Sequence, residues 1–195
     1  MAGVRAERED PLQMDSLRGQ LLVSSPKILD PNFRRTVVLI AEHTDEGAMG
    51  FVLNRPAAVT VGDAVPDLAW LADSGDQIHV GGPVAAQSVI VLAEFDDPSL
   101  AAMVVTGDLG FIPAEPEDAD ALTAATRRKR VFAGHSGWGP GQLEAELEDD
   151  SWIVVGALPD DAFCDDPDAL WRRVLDRVGG AHLLMATLPM DPSLN

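Results

Sequence analysis

Gly134-His135-Ser136-Gly137-Trp138 sets a hydroxyl and an imidazole side by side within a glycine-rich run. The pattern misses by one position the G-x-S-x-G elbow, in which a strained strand-to-helix turn presents a serine nucleophile. Trp138 stands two residues after Ser136, where the elbow needs a small residue so that strand and helix can approach. Partners for a triad can only be improvised, for instance Asp165 and His182, in an acceptable chain order but with no motif of their own. Nucleophilic catalysis needs base, orienting acid and oxyanion donors together. The run is therefore read as a packed, tryptophan-bearing turn, with a hydrolase or transferase using Ser136 or His135 as the alternative.

Gly137, Gly139 and Gly141 precede a helix-forming segment, and a helix beginning at Gln142 has backbone N–H groups that can face an anion. No Lys-Ser/Thr pair follows and the G-x-G-x-x-G spacing is absent, so neither common nucleotide loop is present. Asn54-Arg55-Pro56 ends a strand with a guanidinium that can grip a carboxylate through two parallel bonds. In so acidic a chain, an internal pair between Arg55 and Glu144 or Glu146 is the preferred reading. Glu42-His43 with Asp45 and Glu46 offers metal-ligand types, but a hairpin end splays them, and His79 and His182 lie far along the chain. His43 is read as a turn histidine bonded to backbone. Glu144 and Glu146 project to different faces of one helix, so they are not an acid/base pair. No catalytic residue, cofactor or metal site is assigned.

Charge narrows the partners. Fourteen Lys and Arg face thirty-two Asp and Glu in 195 residues, a formal net charge of −18. Such a field repels phosphate backbones, so direct nucleic-acid binding is not expected. The one dense cationic run, Arg127-Arg128-Lys129-Arg130, is read as the end of a helix over Glu117–Arg128, where cations complement the helix dipole. An acidic, salt-adapted or high-GC cytosolic proteome accounts for the overall balance. The single cysteine, Cys164, cannot form an intramolecular disulfide, which points to a reducing compartment. No secretory signal opens the chain and no apolar stretch is long enough to span a bilayer, so a cytoplasmic protein is expected.

The elements that would position these residues follow from periodicity and punctuation. Strands are read at Gln20–Ser24, Thr36–Ala41, Met49–Leu53, Gln77–Val80, Gln87–Leu92, Met103–Thr106, Gly110–Ile112, Arg130–Ala133 and Trp152–Ala157. Thr44–Gly47 and Gly107-Asp108 are turns between strands. Thr60 caps a short helix at Val61–Ala64, Leu68–Leu71 is a further helical turn, and Gln142–Glu148 and Pro167–Val178 are helices. In the last of these Leu170, Trp171, Val174, Leu175 and Val178 make one apolar stripe. This order does not alternate regularly enough for a doubly wound sheet. An α+β fold with a mixed or antiparallel sheet is expected, as one domain over 19–195 behind a flexible or short helical segment at 1–18.

Several blocks together resemble a known family. The run from Gly19 through Pro56, with Asp30-Pro31, Phe33, Glu42-His43, Gly47-Ala48, Gly50 and Asn54-Arg55-Pro56, is similar to the N-terminal signature of the YqgE/AlgH family of bacterial proteins. Val80-Gly81-Gly82-Pro83 resembles its second block. Gly137-Trp138 with Gly141-Gln142-Leu143-Glu144, Glu146 and Trp152 resembles its third, and Asp191–Asn195 its usual terminus. The resemblance implies a bifurcated sheet curled into a partial barrel with flanking helices, and implies no activity. A transcriptional-regulator label borne by some members rests on genetics, and no helix-turn-helix is seen here. Ser136 stands where the family commonly has alanine. An aromatic, often basic stretch after the Gly-Gly-Pro block is replaced by Ala85-Ala86-Gln87-Ser88-Val89-Ile90.

The expectation is a non-enzymatic binding or regulatory protein with an unidentified protein or small-molecule partner. Asn54, Arg55, Gly81, Gly82, His135, Trp138, Gln142 and Glu144 are its candidate binding residues, because polar and glycine residues at element ends commonly build such sites.

Overall fold

Val37-Val38-Leu39-Ile40-Ala41 is apolar at every position, and all five residues are buried. A strand patterned this way must be covered on both faces, and the architecture follows from that demand. The computed structural model describes residues 16–73, 75–116, 118–180 and 182. Expectations for Met1–Asp15 and Pro189–Asn195 fall outside these residues.

The strands are β1 Gln20–Ser24, β2 Val37–Thr44, β3 Gly47–Val52, β4 Pro56–Thr60, β5 Gln77–Val80, β6 Val84–Phe95, β7 Met103–Thr106, β8 Leu109–Phe111, β9 Thr126–Trp138 and β10 Trp152–Gly156. Helices are α1 Val61–Ala64, α2 Ala119–Ala124, α3 Gln142–Glu148, α4 Pro159–Ala162 and α5 Pro167–Val178, with 3-10 turns at Pro66–Leu71 and Pro98–Leu100. The sheet runs β10-β1-β2-β3-β9-β6-β8-β7, all antiparallel, and β5 joins β9 in parallel with β4 beyond it. One edge of β9 pairs with β6. Its other edge pairs with β5 at Phe132–Ala133 and with β3 at Ser136–Trp138, so the sheet divides there. The end strands β10 and β7 do not pair, and the sheet is not closed into a barrel. It does curl: the Arg18 guanidinium donates to the Val104 carbonyl of β7. The expected α+β fold with a mixed, bifurcated, partly curled sheet is what the chain adopts.

Three apolar layers lie on this sheet. Leu21, Leu39, Phe51, Leu92 and Phe132 point inward onto Leu170, Trp171, Val174 and Leu175 of α5. Alternate residues Leu22, Val38, Ile40 and Val52 face outward under Leu143 of α3, Trp138 and Trp152. At the other end Val91, Ala93, Phe95 and Val131 pack beneath α1, the Pro66–Leu71 turn and α2. The period-2 alternation thus serves two covered faces rather than one wet and one dry. Val178, expected in the α5 stripe, is 38% exposed because the helix has run past the core by its last turn.

Two expectations change. The basic run is not at a helix end: α2 stops at Ala124, and Arg127–Arg130 lie on β9. β6 supplies the reason, since Glu94 is in register with Arg128 and the two form an ion pair at 2.7 Å. Nor does the glycine-rich run turn at Gly134; β9 continues to Trp138, and the chain reverses at Gly139–Gly141. Glycine weakens a strand in isolation, but here it permits another backbone to lie against it.

Candidate functional site

The sequence-derived residues fall into three separate places. Gly81 and Gly82 interlock with Gly134–Ser136. A Cβ on Gly82, whose φ is +153°, would lie 2.3 Å from the His135 carbonyl carbon. A Cβ on Gly81 would lie 2.3 Å from the Gly134 oxygen. Ser136 is wholly buried, and its hydroxyl donates to the Gly81 carbonyl at 3.1 Å. That bond holds the β5–β6 connection against β9 and leaves the hydroxyl no open face for a substrate. His135 is half-buried beside Phe51, with ring centroids 6.4 Å apart. His182 Nδ1 lies 3.3 Å from the Gly179 carbonyl, and Asp165 lines a cleft with Arg130. Neither bonds to Ser136.

The second place is the tryptophan-bearing end of β9. Trp138 Nε1 and Trp152 Nε1 both donate to Glu146 Oε2, at 3.0 and 2.7 Å. Gln142 donates to the other Glu146 oxygen at 2.9 Å and accepts from Gly139 N at 3.1 Å. Phe33 completes an aromatic cluster, edge-on to Trp152 at 5.7 Å. Glu144 faces elsewhere, as its different helix position requires, and pairs with His43 Nε2 at 2.8 Å. His43 Nδ1 accepts from the Leu17 backbone N–H at 3.0 Å, which assigns the proton to Nε2 and makes it the donor to Glu144. Backbone bonding of His43 was expected; the Glu144 pair was not. With both ring nitrogens engaged, His43 has no lone pair left for a metal.

The third place is the end of β3. Asn54 is buried, accepts from Val37 N at 3.0 Å and donates to the Arg35 carbonyl at 2.9 Å. Arg55 donates to the carbonyls of Arg34 and Asn54. Burial draws its guanidinium below the ordinary range, Asp168 opposing and Arg34 adding to the effect. The expected pair between Arg55 and Glu144 or Glu146 is absent, because those carboxylates are committed to His43 and to the two indoles. Asn54, Arg55, His135, Trp138 and Glu144 thus do not converge on one pocket.

A cleft lies elsewhere, along the basic run Arg127–Arg130. It has a volume of about 330 Å³ between the Pro66–Leu71 turn and the start of β9, lined by Trp70, Asp73, Asp76, Thr123, Arg127–Arg130, Phe163 and Asp165. A smaller chamber of about 80 Å³ shares Leu71, Asp76, Lys129 and Arg130 with it and reaches His79. The available signal was the density of Arg127–Arg130 after a stretch, Pro56 to Thr126, that holds no Lys or Arg. Its placement on a helix end hid the strand face it lines.

Electrostatics within the cleft are uneven. Arg127 is paired with Glu94, Asp96 and Asp108, and Arg128 with Glu94 and Asp160. Burial, then the nearby Arg130 charge, lowers His79 from 6.5 to about 4, only partly opposed by the Gln77 carbonyl and Asp76. A depressed histidine pKa means that the unfolded state takes up the proton first. His79 therefore contributes stability that is complete above pH 6.5 and is lost as pH falls through 4. The full effect is about 3 kcal/mol. Urea unfolding of the native chain and of His79→Phe between pH 7 and 4 checks this: the native chain is expected to lose the extra stability, and parallel pH profiles would refute it.

A family model described as AlgH-like matches residues 21–183. A UPF0301 protein of Streptomyces coelicolor is 42% identical, with 94% of this chain and 97% of the relative aligned. A UPF0301 protein of Mycobacterium tuberculosis is 41% identical over 91% of this chain and 90% of its own. Among solved structures, a Corynebacterium diphtheriae protein superposes with TM-score 0.80 at 27% identity, covering 93% of this chain and 95% of that one. The solution structure of the AlgH protein from Pseudomonas aeruginosa gives 0.66 at 26% identity, covering 95% and 99%. The matched span takes in all but the first residue of β1 and the whole of α5, and the glycine interlock and shared-carboxylate corner lie within it: the chain belongs to the AlgH-like family.

Proposed function

We propose that this protein is a non-enzymatic binding protein and that its ligand enters the cleft beside the first half of β9. The observation that carries the reading is that cleft itself, about 330 Å³ with cationic, acidic and aromatic side chains on its wall. A volume of this order suits a small molecule. The sequence-derived residues take a supporting part: Asn54, Gly81, Gly82 and Trp138 hold the scaffold, while Gln142, Glu144 and Arg55 retain some exposed surface for a protein partner. Any effect on transcription is indirect, through the ligand or that partner, because a net charge of −18 opposes DNA. A cytoplasmic setting agrees with the lone, buried Cys164 thiol. Among the described residues no helix is long and apolar enough to cross a membrane.

The test compares small molecules released from the purified native chain with those from Ala72→Trp, which adds an indole at a residue lining both the cleft and the smaller chamber. A compound enriched with the native chain and lost from the variant is expected. Identical profiles would remove the reading. A fluorophosphonate adduct on Ser136 would instead favour the hydrolase alternative, and the buried, bonded hydroxyl predicts none.

A further inference from the structure

An edge strand presents a row of unpaired backbone donors and acceptors, and proteins blunt such edges with charge, proline, bulges or a covering group. The edges of this sheet differ in that respect. At β7 the Arg18 guanidinium covers the Val104 carbonyl. β4 opens on Pro56, and its pairing with β5 is interrupted between Pro56 and Thr60. β10 carries no such device before Gly156. Ser151–Leu158 holds neither a charge nor a proline, and β10 pairs with β1 in unbroken register from Gln20–Gly156 to Ser24–Trp152. No strand lies along its other edge among the described residues.

The ladder fixes which groups face outward. Ser25 N donates to the Ser151 carbonyl, while Ser24 N donates to Thr36 on the opposite edge of β1. Alternation along an antiparallel pair then turns the N–H and C=O of Ile153 and Val155 toward β1, and those of Trp152, Val154 and Gly156 away from it. Arg177 agrees with this, reaching the Gly156 carbonyl at 3.0 Å from outside the ladder, and that oxygen keeps a second lone pair. Val154, at the centre of the strand, is 41% exposed.

Two features make this edge complementary to itself. A two-fold axis at Val154 sets Trp152 of one copy opposite the partner's Gly156, and Ile153 opposite the partner's Val155. Gly156 is a glycine that its own fold does not require. Its φ lies outside the left-handed range, and a Cβ there would meet nothing nearer than Gln20 Oε1 at 4.0 Å. Glycine inside a strand marks close approach by another group, and an indole on a facing strand is such a group. The second feature is charge. An antiparallel copy brings the exposed Asp149-Asp150 end of one strand toward the end where the other carries Arg173 and Arg177, whereas a parallel copy would set the acidic ends together. With a net charge of −18 on each copy, an uncharged strand is also where two chains meet at least electrostatic cost.

We infer that β10 is a self-association surface: two copies of this chain pair antiparallel through Trp152–Gly156 and continue the sheet across a two-fold axis. This association uses none of the residues that line the cleft.

The test is sedimentation equilibrium of the full chain over a concentration series in about 0.3 M salt, which screens repulsion between the two acidic copies. A concentration-dependent dimer is expected, with the Val154 amide exchanging quickly when dilute and slowly when concentrated. Val154→Pro removes an outward N–H that β1 does not use, and Val154→Glu sets like charges face to face. Each is expected to weaken association about tenfold or more. If Val154→Pro disturbs the strand, Val154→Glu at the same exposed position carries the test alone. Gly156→Ala is expected to weaken the dimer about fivefold without lowering the stability of the dilute monomer in urea. Val59→Glu, at a residue of β4 that is likewise exposed, is the control and leaves the dimer intact. Absence of a dimer at about 1 mM chain, or a dimer indifferent to both Val154 variants, would overturn the assignment. So would slow Val154 exchange that does not change with dilution, because the edge would then be covered by the chain's own residues.

Discussion

Gly82→Ala is expected to abolish folding or to cost about 4 kcal/mol or more, a large part of the stability of a domain this size. The added Cβ would stand 2.3 to 2.4 Å from three backbone atoms of His135 and Ser136, where no side-chain rotation relieves the overlap. The backbone at φ +153° is itself a glycine conformation. Relief would require the Gly81-Gly82 segment to lift away from β9 and β3, breaking the Gly81 N to Ala133 O and Val52 N to Gly81 O bonds, both 2.9 Å. Gly62→Ala is the control: nothing lies within 4 Å of its added methyl, and it sits in α1. That change is expected to be neutral or to stabilise by about 0.5 kcal/mol. Soluble yield and urea unfolding separate the two, and a Gly82→Ala protein of near-native stability would show that the interlock is not a structural constraint.

The second large effect is predicted at Glu146. One carboxylate oxygen accepts from two buried indoles and the other from Gln142, so a single side chain satisfies donors from β9, α3 and β10. Glu146→Leu leaves both indole N–H groups unpaired beneath Phe33, and hydrogen bonds to charged groups contribute about 1.5–3 kcal/mol each. The expected loss is about 3 kcal/mol, less than the sum because the corner can relax and admit water. Glu146→Gln keeps one acceptor oxygen and is expected to lose about half as much. Unfolding followed by tryptophan fluorescence reads both. A change below about 1 kcal/mol for Glu146→Leu would mean that the indoles find other acceptors.

How far these features were legible differs by element. β1, β5, β7, α1, α3 and α5 lie at the residues that hydrophobic runs, Pro26, Thr60 and Pro167 indicate. Such local signals suffice where a segment is bounded by its own punctuation. β4 was not read, since Pro56–Thr60 is short, mostly exposed and paired only with β5. α4 was missed because it is only four residues long and its start is fixed by Asp161, which accepts from Leu158 N at 2.9 Å and is buried against Arg177 at 2.9 Å. The length of β9 escaped because its last third contains glycines at 134 and 137. Those residues are strand only because β3 pairs with them along one edge and the Gly81-Gly82 segment lies against Gly134–Ser136.

Unaided, the order of residues settled which segments pair with water and which do not, and the family-like blocks settled the kind of sheet. Period and punctuation are local properties, so one chain written out carries them. Only the folded molecule decided where each polar group spends its hydrogen bonds. Ser136 goes to Gly81, Glu144 to His43 and Glu146 to two tryptophans, across separations that no spacing rule reaches. The same holds for the cleft: Arg130 and His79 stand 51 residues apart in sequence and meet because β5 lies parallel to β9. Long-range pairing creates that neighbourhood, and its two unpartnered nitrogens exist only once the strands are side by side.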